Sequence, residues 1–308
     1  MEAQLRGSGH ATGSQFRISS GGAEAVITEL AAALRIYRRH GIDLAQPFGV
    51  ESAPPGASGI LLAPWPNRVA DGRWMLDGAV QQLDITERAR GHASHGLLRN
   101  TGYACVAQES DFVTLRAEIF PQHGYPLRLT HEATYRLDAD GHLEVRQSLH
   151  NRGPRRAPVA LGAHPYLCLG DLPSGELVLR LAAETWLEAD DRLIPIRARP
   201  VAGDTDFRAG SRVGDHRIDR TYTGLSAVEN GRFEHALEAR DGRSVVLWAD
   251  AAFPYVHVFI TEVMPGREVS ITVEPMTAPA NALNSGEGLI WLEPGARLSG
   301  NWGIRSCL

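Results

Sequence analysis

Short runs in which apolar and polar residues alternate recur along most of the chain, and this pattern constrains the fold more than any other feature. Alternation with a period of two is typical of β-strands that bury one face and expose the other. The clearest runs are residues 113–119, 142–149, 176–181, 256–261 and 269–274. These segments are therefore predicted to be strands packed against a common core.

Turn-forming dipeptides separate the alternating runs. Asp or Asn followed by Gly is the strongest local signal for a tight hairpin. It occurs at residues 71–72, 77–78, 140–141, 230–231 and 241–242. Turns at this density predict an all-β fold, a large antiparallel β-sandwich with two sheets face to face. The alanine-rich residues 24–40 are compatible with either a helix or strands.

The domain organisation is predicted to be simple. Residues 1–15 contain a Gly-Ser-Gly segment and are expected to form a flexible N-terminal tail. No linker or break in composition follows, and all-β chains of this length often form one unit. We therefore expect a single β-sandwich domain over residues 16–308.

The composition excludes several classes of protein. All 31 basic residues are Arg, which excludes Schiff-base aldolases, PLP enzymes and Walker-type NTPases because they rely on a Lys amine. The net charge of −5 argues against a nucleic-acid partner. No apolar stretch approaches the roughly 18 residues of a membrane span. Three scattered cysteines and an N-terminus without an apolar signal core predict a cytoplasmic protein.

Two segments in the first third of the chain are rich in functional groups. In residues 63–69, two prolines hold Trp65, Asn67 and Arg68 in a stiff, non-helical segment. These side chains suit a sugar or an anion, but the spacing alone favours the alternative of a proline-rich loop with a surface arginine. In residues 91–100, His92 and His95 lie three apart beside glycine. They can handle protons or a metal, or they can be loop residues with satisfied hydrogen bonds.

Two later segments carry candidate acid–base groups. His164 lies in an apolar run and is followed by Pro165, which favours an extended backbone. Its imidazole is the side chain most easily poised to donate a proton near neutral pH, but a core histidine is the alternative. Glu274 lies where an alternating strand meets a proline-rich loop, on the face opposite Val273. That face can meet a cleft or bulk solvent.

In their order along the chain, these motifs resemble the aldose 1-epimerase (mutarotase) family. The resemblance covers about residues 60–295. It rests on Pro-Asn-Arg at 66–68, His-Gly at 95–96, His-Pro-Tyr at 164–166, Glu-Pro-Met-Thr at 274–277 and Leu-Glu-Pro-Gly at 292–295. It implies a large β-sandwich that binds a small-molecule aldose across one concave sheet, without a cofactor or metal, as a monomer or homodimer.

The resemblance assigns roles to individual residues. It makes Glu274 the general base and His164 the general acid that interconvert the two anomers of a free aldose such as galactose or glucose. His95 would bind the sugar near its ring oxygen, and Arg68 with Asn67 would bind it elsewhere. Asp219 falls near the aspartate that holds sugar hydroxyls, with Asp215 four residues away as a less favoured alternative.

The same resemblance leaves the aromatic contact of the sugar open. Trp65, Tyr166 and Trp248 are candidates for stacking on the sugar, and core packing is the alternative for each. Trp65 is favoured because its neighbours are the expected binding residues. Asn281 stands where related chains often have aspartate, and we expect a modest effect on its loop. We also expect Glu274 to raise the pKa of His164.

Four rival functions remain open from the sequence. A non-catalytic carbohydrate-binding protein would use the same fold without an acid–base pair. A phosphosugar mutarotase would bind phosphate through arginines such as Arg68, Arg73 and Arg99. A metal-dependent isomerase would use two histidines and a glutamate as ligands. A retaining glycosidase needs two carboxylates about 5 Å apart, and the chain offers one well-placed candidate.

Overall fold

A computed structural model describes residues 9–308, and nearly all of its regular structure is β-strand. The strands, numbered β1 to β27 in chain order, are Gln15–Ser20, Ala23–Thr28, Leu34–Arg39, Ile42–Ala45, Leu61–Leu62, Arg68–Val69, Arg73–Leu76, Ala79–Gln82, Ala93–Ser94, Ala104–Gln108, Phe112–Ile119, Leu129–Leu137, Leu143–Asn151, Ala157–Val159, Gly162–Ala163, Tyr166–Leu167, Val178–Leu181, Ala183–Ala189, Pro195–Pro200, Ser211–Arg212, Asp219–Leu225, Phe233–Glu238, Ser244–Ala249, Tyr255–Thr261, Ser270–Met276, Ile290–Leu292 and Arg297–Cys307.

Helical structure is confined to short turns. The α-helix α1 spans Ala282–Ser285, and five 3-10 turns span Pro55–Ala57, Ala70–Gly72, Ser174–Glu176, Gly203–Thr205 and Val213–Asp215. Nowhere in residues 9–308 is a helix long and apolar enough to cross a membrane.

Two large sheets contain most of the strands, and three two-stranded sheets, β14-β26, β6-β9 and β7-β8, contain the rest. The first has 12 strands in the order β1-β2-β3-β4-β16-β25-β24-β21-β18-β19, with β15 pairing β25 and β5. The second has nine strands in the order β10-β11-β12-β13-β27-β23-β22-β17-β20. Neighbouring strands in both sheets are antiparallel. For example, β12 pairs along its full length with β11 and with β13. The predicted all-β antiparallel fold is confirmed.

The core lies between the two sheets, and strand alternation determines which side chains enter it. In β24, Val256, Val258 and Ile260 are buried in the main apolar cluster, together with Leu115 and Leu247 of the second sheet. The residues between them, such as 257 and 259, point to the opposite face of the first sheet. The first sheet therefore has an apolar face toward the core and a face that is free to carry polar groups.

The alanine-rich segment 24–40 forms strands. It contains β2 and β3, which pair with each other and, through β2, with β1. Ala25 and Ile27 belong to the main core cluster, so the period-two burial outweighs the helical preference of alanine. The two strands are joined by a turn in which Ala31 and Ala32 have positive φ angles of 59° and 47°.

The first strand begins within the segment that was predicted to be a flexible tail. Residues 1–8 of the predicted tail lie outside the described residues. Strand β1 already begins at Gln15, which is buried together with Thr12. The side-chain amide of Gln15 donates a hydrogen bond to the Thr12 hydroxyl at 3.0 Å, so the last residues of the predicted tail are part of the folded unit.

Candidate active site

A cavity of about 410 Å³ lies on the face of the first sheet that points away from the core. This volume is within the range of about 300–1,000 Å³ that is usual for small-molecule sites. Six residues expected from the sequence line it together: Asn67, Arg68, His95, His164, Asp219 and Glu274. Segments that are far apart in sequence thus converge on one site.

Strand register places four of the lining groups on neighbouring strands. Glu274 of β25 lies directly opposite His257 of β24, and Asp219 of β21 lies opposite Phe259. Because side chains alternate along a strand, these four residues share the face opposite the core. Glu274 is nevertheless only 1% exposed. It therefore faces an enclosed cleft, and the alternative of bulk solvent is wrong.

His164 is fixed by its backbone between two short strands. Its N–H donates to the carbonyl of Ile60 at 3.0 Å, and its own carbonyl accepts from the N–H of Gly59 at 2.9 Å. Gly59 has φ of 71°, and a Cβ there would lie 2.2 Å from the carbonyl oxygen of Leu34, so this close approach requires glycine. The imidazole Nε2 lies 3.2 Å from Oε1 of Glu274.

His95 is held in an unusual backbone conformation beside His164. Its φ of 64° lies in the left-handed region, and its N–H donates to the carbonyl of Asn67 at 2.9 Å. Asn67 itself has φ of 54°. Left-handed non-glycine residues often cluster at functional sites. The ring of His95 meets that of His164 edge to face, with 5.1 Å between centroids.

Unpaired polar atoms of the Glu274–His164 pair are available to a ligand. Oε1 of Glu274 accepts a hydrogen bond from the Thr272 hydroxyl at 2.8 Å. Within residues 9–308, Oε2 of Glu274, Nδ1 of His164 and Nδ1 of His95 are buried without a hydrogen-bond partner. Such groups are rare in folded proteins because leaving them unpaired is costly. A bound polyol can supply the partners.

The pKa of His164 is shifted in the direction opposite to our expectation. Burial lowers it below its ordinary value of 6.5, and the charge of Glu274 raises it only in part. The expectation that Glu274 raises this pKa is therefore wrong in its net direction, because desolvation of the imidazolium outweighs the attraction. Burial, followed by the charge of His164, also holds the pKa of His95 well below its ordinary value.

A second group of charges forms one wall of the cavity around Arg68. Its guanidinium donates to Glu87 at 2.8 and 3.2 Å and to both oxygens of Asp219 at 3.2 and 3.0 Å. Asp219 also lies 2.9 Å from Nε2 of His257. Although burial alone would raise it, the pKa of Asp219 is held well below its usual range by His257 and Arg68. Asp219 is thus an anion at neutral pH.

The alternative aspartate is excluded by its position. Asp215 lies in the 3-10 turn Val213–Asp215, is exposed, and contacts Arg212 at 3.5 Å outside this cavity. Asp219 is the aspartate that reaches the site.

The expected aromatic contacts are not where the sequence suggested. Trp65 is 2% exposed and packs against Tyr125 in the main core, with 6.1 Å between ring centroids. Tyr166 is buried behind His164 and donates its hydroxyl hydrogen to the Gly56 carbonyl. Trp248 belongs to β23 in the second sheet. Trp65 thus lies in the core and does not line the cavity, which contradicts the stacking role assigned to it.

Sequence reasoning missed several residues that line the cavity, among them His257, Glu87 and Phe259. In β24, His257 and Phe259 alternate with the core residues Val256 and Val258 and therefore lie on the opposite face of the sheet. The alternation of residues 256–261 already indicates this in the sequence. Glu87 lies in an irregular segment with no such periodicity. Phe259, which is half-buried, is the aromatic ring that lines the cavity.

Asn281 supports the loop behind Arg68. Its N–H donates to the Arg68 carbonyl at 2.6 Å. Its side-chain oxygen accepts from the N–H of Ala70 at 3.0 Å and from the amide of Asn284 at 2.7 Å. An amide oxygen makes these contacts as a carboxylate oxygen would, and Asn281 acts on the loop rather than in the cavity.

Metal binding was one of the rival interpretations for this site. Among residues 9–308, no group of three or more His, Cys, Asp or Glu side chains is arranged to hold a metal ion.

Comparison with known proteins gives a family match. A family model described as aldose 1-epimerase matches residues 14–305. The Escherichia coli K12 protein YihR is 31% identical over 287 residues, which cover 93% of this chain and 91% of YihR.

Solved structures share the fold at lower identity. A galactose mutarotase-like protein from Clostridium acetobutylicum superposes with a TM-score of 0.84 at 17% identity, covering 96% of this chain and 95% of the other. Galactose 1-epimerase from Lactobacillus acidophilus gives a TM-score of 0.77 at 18% identity, with coverage of 96% and 95%. With the family match spanning nearly all of the sequence, the chain belongs to the aldose 1-epimerase family.

Proposed function

We propose that this protein is an aldose 1-epimerase, which interconverts the α and β anomers of an aldose by opening and closing its ring. The observation that supports this most directly is the buried pair of Glu274 and His164 at the cavity, in which Nε2 of His164 lies 3.2 Å from Oε1 of Glu274. Anomer exchange requires one base and one acid on opposite sides of the C1–O5 bond, and the pair supplies one of each.

The proposed reaction moves two protons and breaks one bond. Ionised Glu274 removes the proton of the C1 hydroxyl while protonated His164 donates a proton to the ring oxygen O5, and the C1–O5 bond breaks. The open-chain aldehyde rotates about C1–C2 and presents its other face. The ring then closes as His164 takes the proton back from O5 and Glu274 returns its proton to the C1 oxygen, so the pair carries one proton before and after each turnover.

The lowered pKa of His164 fits its role as proton donor. A buried imidazolium is a stronger acid than an exposed one, because burial favours its neutral form. His95 has a pKa well below 6.5 and stays neutral, so it can offer a hydrogen bond to the sugar without competing for the proton. Asp219, His257 and Arg68 form a rigid polar wall that is suited to hydroxyl groups.

Polarimetry of freshly dissolved α-anomers tests the proposal. With the protein present, α-D-glucose or α-D-galactose should reach the same final optical rotation faster than in weak buffer alone. An unchanged rate with a panel of aldoses, combined with measurable sugar binding by calorimetry, would favour the non-catalytic carbohydrate-binding alternative. Loss of the acceleration in a chelator would favour the metal-dependent isomerase.

A further inference from the structure

His92 takes no part in the proposed reaction, yet it is fully buried. Its Nδ1 accepts a hydrogen bond from the N–H of Asp71 at 3.2 Å, and its Nε2 lies 3.1 Å from the carbonyl oxygen of Arg192. Both contacts are hydrogen bonds only when the ring is neutral and carries its proton on Nε2. His92 is therefore a loop residue with satisfied hydrogen bonds, and it joins segments that lie 100 residues apart in the sequence.

The side chain of Arg192 adds three hydrogen bonds to this junction. Its Nε and Nη2 donate to the carbonyl of Arg90 at 3.1 and 2.8 Å, and Nη2 also donates to Oδ1 of Asp71 at 2.6 Å. The planar fork of a guanidinium is suited to such paired contacts. The ion pair with Asp71 is exposed and contributes little by itself, so the bonds to Arg90 and the buried contact of His92 hold the junction. Together these contacts form the Arg192 clamp.

Arg192 lies at the tip of a hairpin on the edge of the first sheet. The hairpin consists of β18 and β19, and β18 also pairs with β21. The N–H groups of Arg192 and Ile194 donate to Oδ1 of Asp190 at 3.0 and 2.8 Å. The N–H of Leu193 donates to the Asp190 carbonyl at 3.0 Å. The tip is therefore a closed turn with a defined backbone, and the guanidinium projects from an anchored position.

The turn that the clamp holds carries Glu87. Residues 87–92 form a closed turn, in which the N–H of Glu87 donates to the His92 carbonyl at 2.9 Å and the N–H of His92 donates to the Glu87 carbonyl at 3.2 Å. Because these two residues are bonded in both directions, a contact that holds His92 or Arg90 also fixes the backbone of Glu87. The carboxylate of Glu87 in turn accepts two hydrogen bonds from Arg68 in the wall of the cavity.

These contacts close a ring that runs outside the cavity. Arg68 binds Glu87 on one side and Asp219 on the other. Asp219 is the first residue of β21, which pairs with β18. The turn after β18 carries Arg192, which returns to the turn of Glu87. The two carboxylates that fix Arg68 are thus connected through the hairpin, and a displacement of its tip changes the separation between them.

Building on the aldose 1-epimerase activity proposed above, we propose that Arg192 is a positioning residue for sugar binding. It acts from outside the cavity through the turn of Glu87 and holds the polar wall in the geometry that binds the sugar. The acid–base pair is held by other contacts, Glu274 by β25 and His164 by its backbone bond to Ile60. Loss of the clamp therefore weakens sugar binding and leaves the proton transfers in place.

Polarimetry of Arg192→Ala with α-D-glucose and α-D-galactose tests the positioning role. We expect KM to rise by about tenfold and kcat to change by less than about twofold, because only contacts that support binding are lost. Arg197→Ala is the matched control, since Arg197 belongs to the same hairpin but pairs with Glu188 of β18, and it should retain the wild-type KM. An equal rise of KM in both variants, or a fall in kcat at unchanged KM, would overturn the proposal.

A double-mutant cycle shows whether Arg192 acts through Glu87. Glu87→Ala removes the carboxylate that the clamp positions. In that background, Arg192→Ala should change KM by less than about twofold, because the effects of residues that share one path are not additive. A full additional tenfold rise would show that Arg192 acts by another route and would contradict the proposal.

Hydrogen exchange tests the clamp without turnover. In the absence of sugar, the backbone amides of Asp71 and His92 should exchange at least about tenfold faster in Arg192→Ala than in the wild type or in Arg197→Ala. Unchanged exchange would refute the clamp. If no aldose is turned over, the proposed activity fails, and calorimetry then decides the positioning role alone. A sugar that Arg192→Ala binds about tenfold more weakly supports the role, whereas equal binding or no binding refutes it.

Discussion

Acid should destabilise this protein steeply, because two histidines are buried far from the active site. His131 and His235 are 0% and 2% exposed, and burial lowers the pKa of each from 6.5 to about 4. The Nδ1 of His131 lies 2.8 Å from the Tyr103 hydroxyl. Between pH 6.5 and pH 4 the unfolded chain binds a proton at each site that the folded protein does not bind. The contribution of each neutral histidine to the free energy of unfolding is therefore fully present above pH 6.5. It is lost as the pH falls from 6.5 toward 4.

The size of the effect follows from the shift. One pKa unit corresponds to about 1.4 kcal/mol, so lowering the pH from 7 to 5 should reduce the free energy of unfolding by about 2 kcal/mol for each histidine. The pair should account for about 4 kcal/mol. This is a large part of the roughly 5–15 kcal/mol that stabilises a typical domain.

Urea denaturation of the wild type and of His235→Leu at pH 7 and pH 5 measures this contribution. His235 of β22 lies opposite Leu181 and Leu247, so leucine suits its surroundings. The variant should lose about 2 kcal/mol less than the wild type between the two pH values. His123→Gln is the control, since His123 is 88% exposed, and it should behave as the wild type. An equal pH dependence in all three proteins would refute the reasoning.

Three further predictions concern the active site. With a neutral aldose, kcat/KM should fall as the pH rises, with a midpoint below pH 6.5, because burial lowers the pKa of His164. Polarimetry between pH 4 and 8 locates that midpoint, and a midpoint above pH 7 would contradict the account. Asp219→Asn leaves Arg68 bonded to Glu87 but weakens the polar wall of the cavity around Arg68. The KM should therefore rise by about tenfold, with a smaller change in kcat. An unchanged KM would show that this wall does not hold the sugar. Trp65→Phe should lower the free energy of unfolding by about 1–3 kcal/mol in a denaturation assay and leave KM unchanged in a kinetic assay. A raised KM with unchanged stability would instead indicate that Trp65 contacts the sugar.

The fold was readable from the sequence because its signal is local. Alternation over residues 256–261 and 269–274 places every second side chain on one face, and the structure retains that parity in β24 and β25. The same rule applied to His257 would have identified a further site residue. The alanine-rich residues 24–40 were ambiguous because helix preference and strand periodicity compete there, and pairing with β1 decides the outcome.

Properties of the site that depend on distant residues were not readable. Glu274 is enclosed by loops that lie far from it in the sequence, such as the one that carries Asn67. The net pKa of His164 depends on that enclosure, since burial reverses the effect expected from its neighbour. Glu87 has no periodic pattern around it, and only its contact with Arg68 reveals its place in the site.

The central claim is that Glu274 and His164 exchange protons with the sugar, and Glu274→Gln tests it most directly. Glutamine preserves the size of the side chain and its acceptor for Thr272, but it cannot take a proton. The account predicts that kcat for anomer exchange falls by about 100- to 10,000-fold, while sugar binding by calorimetry stays measurable. The matched substitution Glu109→Gln, at an exposed residue before β11, should leave kcat unchanged. Anomer exchange at the wild-type rate in Glu274→Gln would contradict the account.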